Sequence, residues 1–394
     1  MPKRIILSDI NSFAVEDLKA QAEKIINVII KNNSFSLIKK NALLDLQKSI
    51  LTNSPMDSLD HYNNDTDPWN KIMNMGSDKR FWFDNYHHGL VVSYFHRLIL
   101  DKIDYFKSGN DPYERIKKQA LMEFVENCLP KGRGGDIKIE QILMGMLWGN
   151  KTDFVPHTIS SEKILLKDDR KLLIEFLFER KPYRIDIIAD NIGEELFYDI
   201  LFINYLFAHD LVKVLRYHVK NYPYNISDAT KQDVFWTLNF LAKTNDNSLR
   251  NIAENILNLI SEKRINIATY PFTTLGFDRG LAMNVVDKQY AGSSLIITKG
   301  DFNYRKNIGW YYWNIKNEYK EIISYLKSPL VSFRVIKNEI LVGLKNKALI
   351  DTLNREDPDW WKKGKGGVIM LAIPKNDNNH LKRNIIEDFW AQTL

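Results

Sequence analysis

The spacing of hydrophobic residues changes part-way along this chain. Up to about residue 165, apolar side chains recur three and four positions apart, which places them on one face of an α-helix. The clearest stripe consists of Val15, Leu18, Ala22, Ile25 and Ile29. A second predicted helix extends from about Glu114 to Cys128 and ends before Pro130. Between the two helices, residues 53–75 are rich in Asn, Asp, Ser and Pro and predict a loop.

Beyond about Leu172, short apolar runs rich in β-branched residues alternate with helical stretches. The predicted strands lie near residues 185–188, 211–219, 294–298, 331–336 and 368–373, and the predicted helices include residues 196–207 and 234–241. Such alternation is typical of a mostly parallel sheet with helices on both faces. We therefore expect an α/β protein. An N-terminal helical domain would cover residues 1–170, and a Rossmann-like α/β/α sandwich would cover residues 171–394.

The composition is that of an ordinary globular protein, with 44% hydrophobic and 26% charged residues. The net charge of +6, from 55 basic and 49 acidic residues, is too small to indicate binding to nucleic acid or to an anionic membrane. Cys128 is the only cysteine, which excludes an internal disulfide and fits a reducing compartment. No run of about 18 apolar residues occurs, and the apolar N-terminal stretch is too short for a signal peptide. We expect a cytoplasmic protein, of an oligomeric state that the sequence does not predict.

Acidic and amide side chains follow the first two predicted strands of the α/β region. Asp190 and Asn191 come directly after the first strand, and Asp228 follows the second. In open α/β sheets ligands bind at the carboxyl ends of the strands, so these side chains are expected to lie together. Carboxylate and amide oxygens suit a hard divalent cation such as Mg, Mn, Co or Ni. Each segment alone is also a common turn or helix cap.

Cationic side chains follow the third predicted strand, in the segment Lys299-Gly300-Asp301-Phe302-Asn303-Tyr304-Arg305-Lys306. Three cations, an amide and a glycine turn at a strand end predict a phosphate-binding loop, because charge-assisted hydrogen bonds to phosphate are strong. A solvated basic loop is the alternative. The fourth strand adds Arg334 and Lys337, whose spacing of three requires a bend or a strand end if both serve one site.

At these residues the sequence resembles the acidic-residue methyltransferase-like branch of the damage-control phosphatases. The resemblance extends over roughly residues 80–370, and its motifs occur in the family's order. The motifs are Asp-Asn-x-Gly-x-Glu at 190–195, Ser-Asp at 227–228, Lys-Gly-Asp-Phe-Asn-Tyr-Arg-Lys at 299–306 and Arg-Val-Ile-Lys at 334–337. Supporting segments are Leu147 to Lys151, Asp359-Trp360-Trp361 and Gly364-Lys365. The branch usually has Arg-Thr-x-Lys where this chain has Val335, and residues 86–88 match it poorly, which leaves substrate choice open.

The resemblance implies a metal-dependent phosphatase of small phosphorylated metabolites. Sugar phosphates such as fructose 1-phosphate, or damaged phosphometabolites, are the implied substrates. By the same resemblance a divalent metal binds Asp190, Asn191 and Asp228. The implied substrate-binding residues are Lys299, Asp301, Phe302, Asn303, Tyr304, Arg305 and Lys337.

Two catalytic routes fit these residues equally well. The metal could orient and acidify an attacking water, or Asp190 could attack phosphorus and form an aspartyl-phosphate. Glu195, one helical turn further on, would act as a general base or as a support for the metal ligands. Arg305, Lys337 and Lys299 would neutralise phosphate charge.

Other functions and residues compete with this interpretation. An S-adenosylmethionine-dependent methyltransferase acting on acidic side chains is the chief alternative, although no Gly-x-Gly-x-x-Gly element follows a strand. A binding protein that has lost catalysis is the second. His87 and His88 are expected to be a surface or core pair, since adjacent side chains point to different sides of an element. Cys128 is expected to be a buried thiol, and residues 131–136 a flexible glycine-rich connection.

Overall fold

The computed structural model describes residues 2–9, 12–60, 63–73, 80–127, 137–149 and 163–374. Cys128, the glycine-rich segment 131–136 and residues 150–151 of the Leu147 to Lys151 motif lie outside these ranges. Within them, no helix combines the length and the apolar character that crossing a bilayer would require.

Fifteen helices and seven strands make up the described fold. The helices are α1 (Phe13–Asn32), α2 (Leu37–Leu51), α3 (Thr66–Ile72), α4 (His88–Lys102), α5 (Tyr105–Ser108), α6 (Glu114–Asn127), α7 (Ile139–Trp148), α8 (Arg170–Arg180), α9 (Glu194–Ala208), α10 (Lys231–Leu241), α11 (Asn247–Ser261), α12 (Met283–Tyr290), α13 (Gly300–Ile308), α14 (Tyr319–Ile322) and α15 (Lys347–Glu356). The strands are β1 (Ile164–Asp168), β2 (Arg184–Ile188), β3 (Val214–Val219), β4 (Ile265–Thr269), β5 (Leu295–Lys299), β6 (Leu330–Val335) and β7 (Gly366–Ala372).

The strands form one sheet in the order β1-β7-β6-β5-β2-β3-β4. Strands β6 and β7 run antiparallel, and the other neighbouring pairs are parallel. The predicted α/β class with a mostly parallel sheet is therefore confirmed. The five predicted strands all occur. Strand β2 lies between β5 and β3, whose carboxyl ends carry the other predicted site segments.

Side chains of each strand alternate between two hydrophobic cores, as the pleat requires. In β5, Ile296 belongs to the core shared with α1, α2 and α4, whereas Leu295 and Ile297 belong to the core shared with α7, α9 and α11. Helices α1, α2 and α4 therefore cover one face of the sheet together with α13, α14 and α15, and helices α7 to α11 cover the other. This arrangement brings α1, remote in sequence, next to the strands that carry the site.

Helix α1 begins where Ser12 caps it, with the serine hydroxyl accepting from the backbone N–H of Ala14 at 3.1 Å. Four of the five residues of the predicted stripe are buried, namely Leu18, Ala22, Ile25 and Ile29. This stripe packs against α2 and α4. The residues that the helical spacing predicts to be buried are thus those that pack in the core.

The predicted loop at residues 53–75 is in part wrong, because α3 lies within it. Pro68 is in the first turn of α3, where the missing N–H costs no helical hydrogen bond. Trp69 is 1% exposed and anchors the helix to the core. A single buried tryptophan among polar residues gives no periodic signal, so the pattern could not reveal this short helix.

Two strands, β1 and β4, were not predicted. In β4, Ile265 and Ile267 are buried while Asn266 is exposed, so the alternation is present but brief. Strand β1 precedes residue 170 yet pairs with β7, so the sheet includes residues placed in the helical domain by the sequence analysis. The division of the chain into two domains at residue 170 stays a prediction.

Candidate active site

Two loops that are remote in sequence pair through their backbones at the carboxyl ends of β2 and β3. The N–H of Ile192 donates to the carbonyl of Ser227, and the N–H of Ala229 donates to the carbonyl of Asp190, both at 2.8 Å. Asn191 and Asp228 form the antiparallel bridge between these bonds. The pairing places the Asp190 and Asp228 side chains, 7% and 4% exposed, at one cavity.

The amide of Asn191 has a defined orientation. Its Nδ2 donates to Asp190 Oδ2 at 2.8 Å and to Glu195 Oε2 at 3.0 Å. Its Oδ1 accepts from the hydroxyl of Ser227 at 2.6 Å. Since a carbonyl oxygen has two lone pairs, Oδ1 keeps one acceptor site for a further partner.

The electrostatics of this site favour a cation. Burial raises the pKa of Asp190 well above its ordinary value, the charges of Glu195 and Asp228 raise it further, and Lys220 and Lys337 oppose them. The described residues contain no group of three or more His, Cys, Asp and Glu side chains suited to a metal. The donors here are two carboxylates and one amide oxygen, which are ligands that hard divalent cations accept. The raised pKa means that the charge of Asp190 is costly without a further cation, which fits a divalent ion bound by these oxygens.

Glu195 belongs to a buried ion network behind Asn191. Lys299 Nζ lies 2.8 Å from Glu195 Oε1 and 2.7 Å from Asp199 Oδ1. The hydroxyl of Tyr217 donates to the other oxygen of Asp199 at 2.7 Å. Both carboxylate oxygens of Glu195 are thus engaged, one by Lys299 and one by Asn191.

Lys299 does not line the cavity, contrary to the sequence expectation. Its side chain has no exposure, and its ammonium group neutralises Glu195 and Asp199 inside the protein. As the last residue of β5 it continues the alternation of that strand, which turns its side chain inward.

The segment after β5 is a helix rather than the predicted loop, and this decides which of its residues reach the cavity. Asp301, Phe302 and Arg305 lie on the cavity wall, at the spacing of one helical face. Asn303 and Tyr304 do not line it. Asn303 Nδ2 donates to the carbonyls of Ala189 at 3.1 Å and Lys299 at 2.9 Å, so it ties α13 to the ends of β2 and β5.

Tyr304 is a packing residue in this structure. Its ring stacks on that of Tyr319 with an interplanar angle of 4°, and its hydroxyl accepts from the N–H of Val342 at 3.2 Å. The guanidinium of Arg334 lies 4.3 Å from the centre of the Tyr304 ring. These contacts place Tyr304 and Arg334 behind the cavity wall.

Asp301 holds the cationic side chains in position. Its carboxylate lies 2.8 Å from Arg305 Nε, 2.7 Å from Arg334 Nε and 2.8 Å from Asn338 Nδ2. Burial alone would raise the pKa of Asp301, but Arg305, Arg334 and Lys337 outweigh it and hold the pKa below its ordinary value. Asp301 is therefore an ionised anchor for Arg305.

The cavity between α1, α4 and the site loops has a volume of about 240 Å³. Of the predicted site residues, Asp190, Asn191, Asp228, Asp301, Phe302, Arg305 and Lys337 line it. Its opposite wall comes from α1, through Phe13, Asp17, Gln21, Lys24 and Ile25. The cavity is thus lined both by acidic and basic side chains of the site segments and by residues of an N-terminal helix.

Sequence reasoning missed the contribution of α1 and that of Lys220. Lys220 Nζ lies 3.1 Å from Asp228 Oδ2 and 4.4 Å from the centre of the Phe302 ring. The four- and three-residue spacing of Asp17, Gln21 and Lys24 is visible in the sequence. An ordinary solvated helix face has the same spacing, so the pattern alone could not assign these residues to a site.

The adjacent histidines have separate structural contacts. His87 Nδ1 accepts from the N–H of Leu90 at 3.3 Å and caps α4, and burial together with Arg4 lowers its pKa to about 3. His88 is fully buried, with Nε2 2.8 Å from Asp17 Oδ2. Their contacts fit the expected core pair rather than a shared metal.

The sequence model of the damage-control phosphatase ARMT1-like domain matches residues 10–353. The chain belongs to this family. The resemblance inferred from the motifs is thereby confirmed, and the chain is assigned to a family of damage-control phosphatases.

Relatives of the family align along most of their length. The chain is 26% identical over 387 residues to damage-control phosphatase ARMT1 of Danio rerio, covering 84% of this chain and 85% of that protein. It is 26% identical over 378 residues to the Xenopus laevis protein of the same name, covering 83% and 85%. A DUF89 family protein from Pyrococcus horikoshii superposes with a TM-score of 0.46 at 14% identity, over 92% of this chain and 98% of that one.

Proposed function

We propose that this chain hydrolyses phosphate monoesters of small metabolites with the help of a divalent cation held by Asp190, Asn191 and Asp228. Membership of a phosphatase family supports the reaction class. The observation that carries the proposal is the backbone pairing of residues 190–192 with 227–229. It brings two carboxylates and an amide to the cavity that Arg305 and Lys337 also line.

Arg305 and Lys337 are proposed to bind the phosphate. Asp301 lies 2.8 Å from Arg305 Nε, and the Arg305 side chain lines the cavity. A guanidinium anchored in this way presents a fork that matches two phosphate oxygens. Charge that develops on the phosphoryl group in the transition state would be stabilised without reorganisation of the site.

The cation would stabilise charge on the phosphoryl oxygens and lower the pKa of a bound water. The chain's own residues then determine the route. In one route water forms the new bond to phosphorus, Asp190 accepts its proton, and the ester P–O bond breaks as the alkoxide takes up a proton. In the other, a carboxylate oxygen of Asp190 forms the bond to phosphorus while the ester P–O bond breaks and the alkoxide takes up a proton from water. A second water then cleaves the acyl phosphate, which releases inorganic phosphate and restores the Asp190 carboxylate. Because both oxygens of Glu195 are engaged, we assign Glu195 to orienting Asn191.

A small phosphorylated metabolite is the proposed substrate. A cavity of about 240 Å³ suits a compact molecule, and sugar phosphates such as fructose 1-phosphate or damaged phosphometabolites satisfy that limit. The alternative, a carboxyl methyltransferase using S-adenosylmethionine, stays a sequence prediction. Its test is incubation with labelled cofactor and a carboxylate acceptor.

The decisive experiment measures phosphate release from a panel of phosphometabolites. Protein stripped of metal with a chelator and then loaded with Mn, Ni, Co or Mg should release phosphate, whereas stripped protein and Asp190→Asn should not. Phosphate release that persists without any metal, or no release from any substrate with any metal, would refute the proposal.

A further inference from the structure

One face of α1 is part of the cavity although the helix lies some 170 residues before the metal-site loops. Phe13, Asp17, Gln21 and Lys24 follow each other at helical spacing on this face. The neighbouring face, with Leu18 and Ala22, is buried in the core and fixes the rotation of the helix. The α1 side chains are therefore held in a defined position opposite the catalytic groups.

Asp17 is the anionic residue of this wall. His88 Nε2 lies 2.8 Å from its Oδ2, and Gln21 Nε2 donates to the same oxygen at 2.7 Å. No described residue is a partner of Oδ1, and the side chain is 38% exposed. Two contacts thus fix one oxygen, while the other is left as an acceptor at the cavity.

Asp17 and Arg305 both line the cavity, and the charge of Arg305 acts on the Asp17 carboxyl. Burial would raise the pKa of Asp17, but His88 and Arg305 outweigh it and keep the carboxyl ionised at neutral pH. An ionised carboxylate accepts hydrogen bonds and donates none, and it repels phosphate. The phosphate of a substrate would therefore lie at Arg305 and Lys337, with the rest of the molecule directed toward Asp17.

We propose that Asp17 determines specificity by accepting a hydrogen bond from a hydroxyl group on the carbon skeleton of the substrate. The proposal rests on the proposed function and assigns to a residue of α1 the recognition of the hydroxyl groups that sugar phosphates carry. Hydrogen bonds to a charged acceptor are stronger than neutral ones, and an aliphatic phosphate would leave the carboxylate without a donor. The site thereby selects hydroxylated esters over alkyl esters of equal length.

A matched pair of substrates tests this assignment. A hexitol 1-phosphate and n-hexyl phosphate have the same six-carbon chain and differ in their hydroxyl groups. The wild-type protein loaded with Mn should have the higher kcat/KM for the hexitol ester. Asp17→Ala should lower kcat/KM for the hexitol ester about tenfold, mainly through KM. It should not lower the value for hexyl phosphate, because that ester donates no hydrogen bond to Asp17 and its phosphate loses a repelling charge. Asp17→Asn, which keeps the shape of the side chain, should have an effect in the same direction.

Glu23→Ala provides the control, because Glu23 is an exposed acidic residue of the same helix outside the cavity. Glu23→Ala should leave kcat/KM unchanged for both the hexitol ester and hexyl phosphate. If both Asp17 variants lower the two kcat/KM values equally, or neither lowers them, the assignment of Asp17 is wrong while the phosphatase proposal stands. If wild-type protein releases phosphate from neither ester and from no other metabolite, the proposed function fails, and the role of Asp17 fails with it.

Discussion

The carboxylate of Asp190 packs directly against the backbone of Gly300. A Cβ atom at residue 300 would lie 1.9 Å from Asp190 Oδ2, far inside van der Waals contact, and the φ angle of Gly300 is +82°. Glycine is therefore required here both for the left-handed backbone and for the space that the carboxylate occupies. The first helical residue of α13 and the loop that follows β2 are in close contact at this point.

Gly300→Ala should abolish most of the phosphatase activity, because the methyl group displaces a proposed metal ligand. A misplacement of about 1 Å in a catalytic group costs on the order of 100-fold in rate. Steady-state kinetics with Mn would measure the loss. Gly109→Ala is the matched control, since Gly109 also has a positive φ of +69° but nothing within 4 Å of an added Cβ. A Gly300→Ala enzyme with wild-type kcat would contradict this prediction.

Asp190→Asn should inactivate the protein and, without metal, stabilise its fold. Burial and the neighbouring carboxylates raise the pKa of Asp190 in the folded state. A raised pKa means that the folded state loses stability as the pH rises above the ordinary value of 3.8, because the unfolded chain ionises more readily. The neutral amide removes this cost, so Tm of the metal-free variant at pH 7 should rise.

Differential scanning fluorimetry with and without Mn would test the stability of the variant, and the phosphate-release assay would test its loss of activity. The wild-type Tm should rise on addition of Mn, since a ligand that binds only the folded state stabilises it. The Asp190→Asn variant should have a higher Tm than wild type without metal, and its Tm should rise little on addition of Mn. A variant that is less stable than metal-free wild type, or that gains as much from Mn, would show that Asp190 is not in an electrostatically costly metal site.

Some residues of the site can be predicted from local sequence patterns, and others cannot. Asp190, Asn191 and Asp228 could be predicted as site residues because a short apolar run followed by polar residues marks the end of a strand, and this pattern is local in the sequence. The segment after β5 was interpreted as a loop, and a loop gives no reason to separate Arg305 from Asn303 or Tyr304. Only the helical period of α13 divides them into cavity and packing faces.

The wall formed by α1 could not be predicted for a different reason. Local pattern correctly identified the buried stripe of α1, and thus also its polar face. What that polar face contacts depends on the docking of the N-terminal helices onto the sheet, which involves contacts distant in sequence. The contact of Lys220 with Asp228 could not be predicted for the same reason, because it depends on the folded positions of the two residues and not on their neighbours along the chain.

His96 should make the protein less stable in acid. It is 2% exposed, and burial, assisted by Lys220, lowers its pKa from 6.5 to about 3. A lowered pKa means that the unfolded chain takes up the proton first, so stability is full above pH 6.5 and is lost as the pH falls toward 3. The slope from this one group is about 1.4 kcal/mol per pH unit.

Urea unfolding between pH 7 and pH 4 would measure that slope. His96→Phe keeps a ring against Tyr224, whose centroid lies 4.5 Å from that of His96, and removes the titrating group. The free energy of unfolding of the variant should therefore fall less steeply with acid, by about 1.4 kcal/mol per pH unit. Identical slopes for variant and wild type would show that His96 is protonated in the folded protein.

Removing the charge of Lys337 should affect substrate binding, whereas removing the charge of Lys299 should affect stability. The sequence predicts that both residues bind the substrate. Lys337 lines the cavity, so Lys337→Met should raise KM for the phosphorylated substrate and change the free energy of unfolding little. Lys299 is enclosed between Glu195 and Asp199. Lys299→Met leaves two buried carboxylates without their cation and should cost about 3–5 kcal/mol of stability. Kinetics and urea unfolding of both variants would separate the roles, and a stable Lys299→Met protein with only a raised KM would return Lys299 to the substrate site.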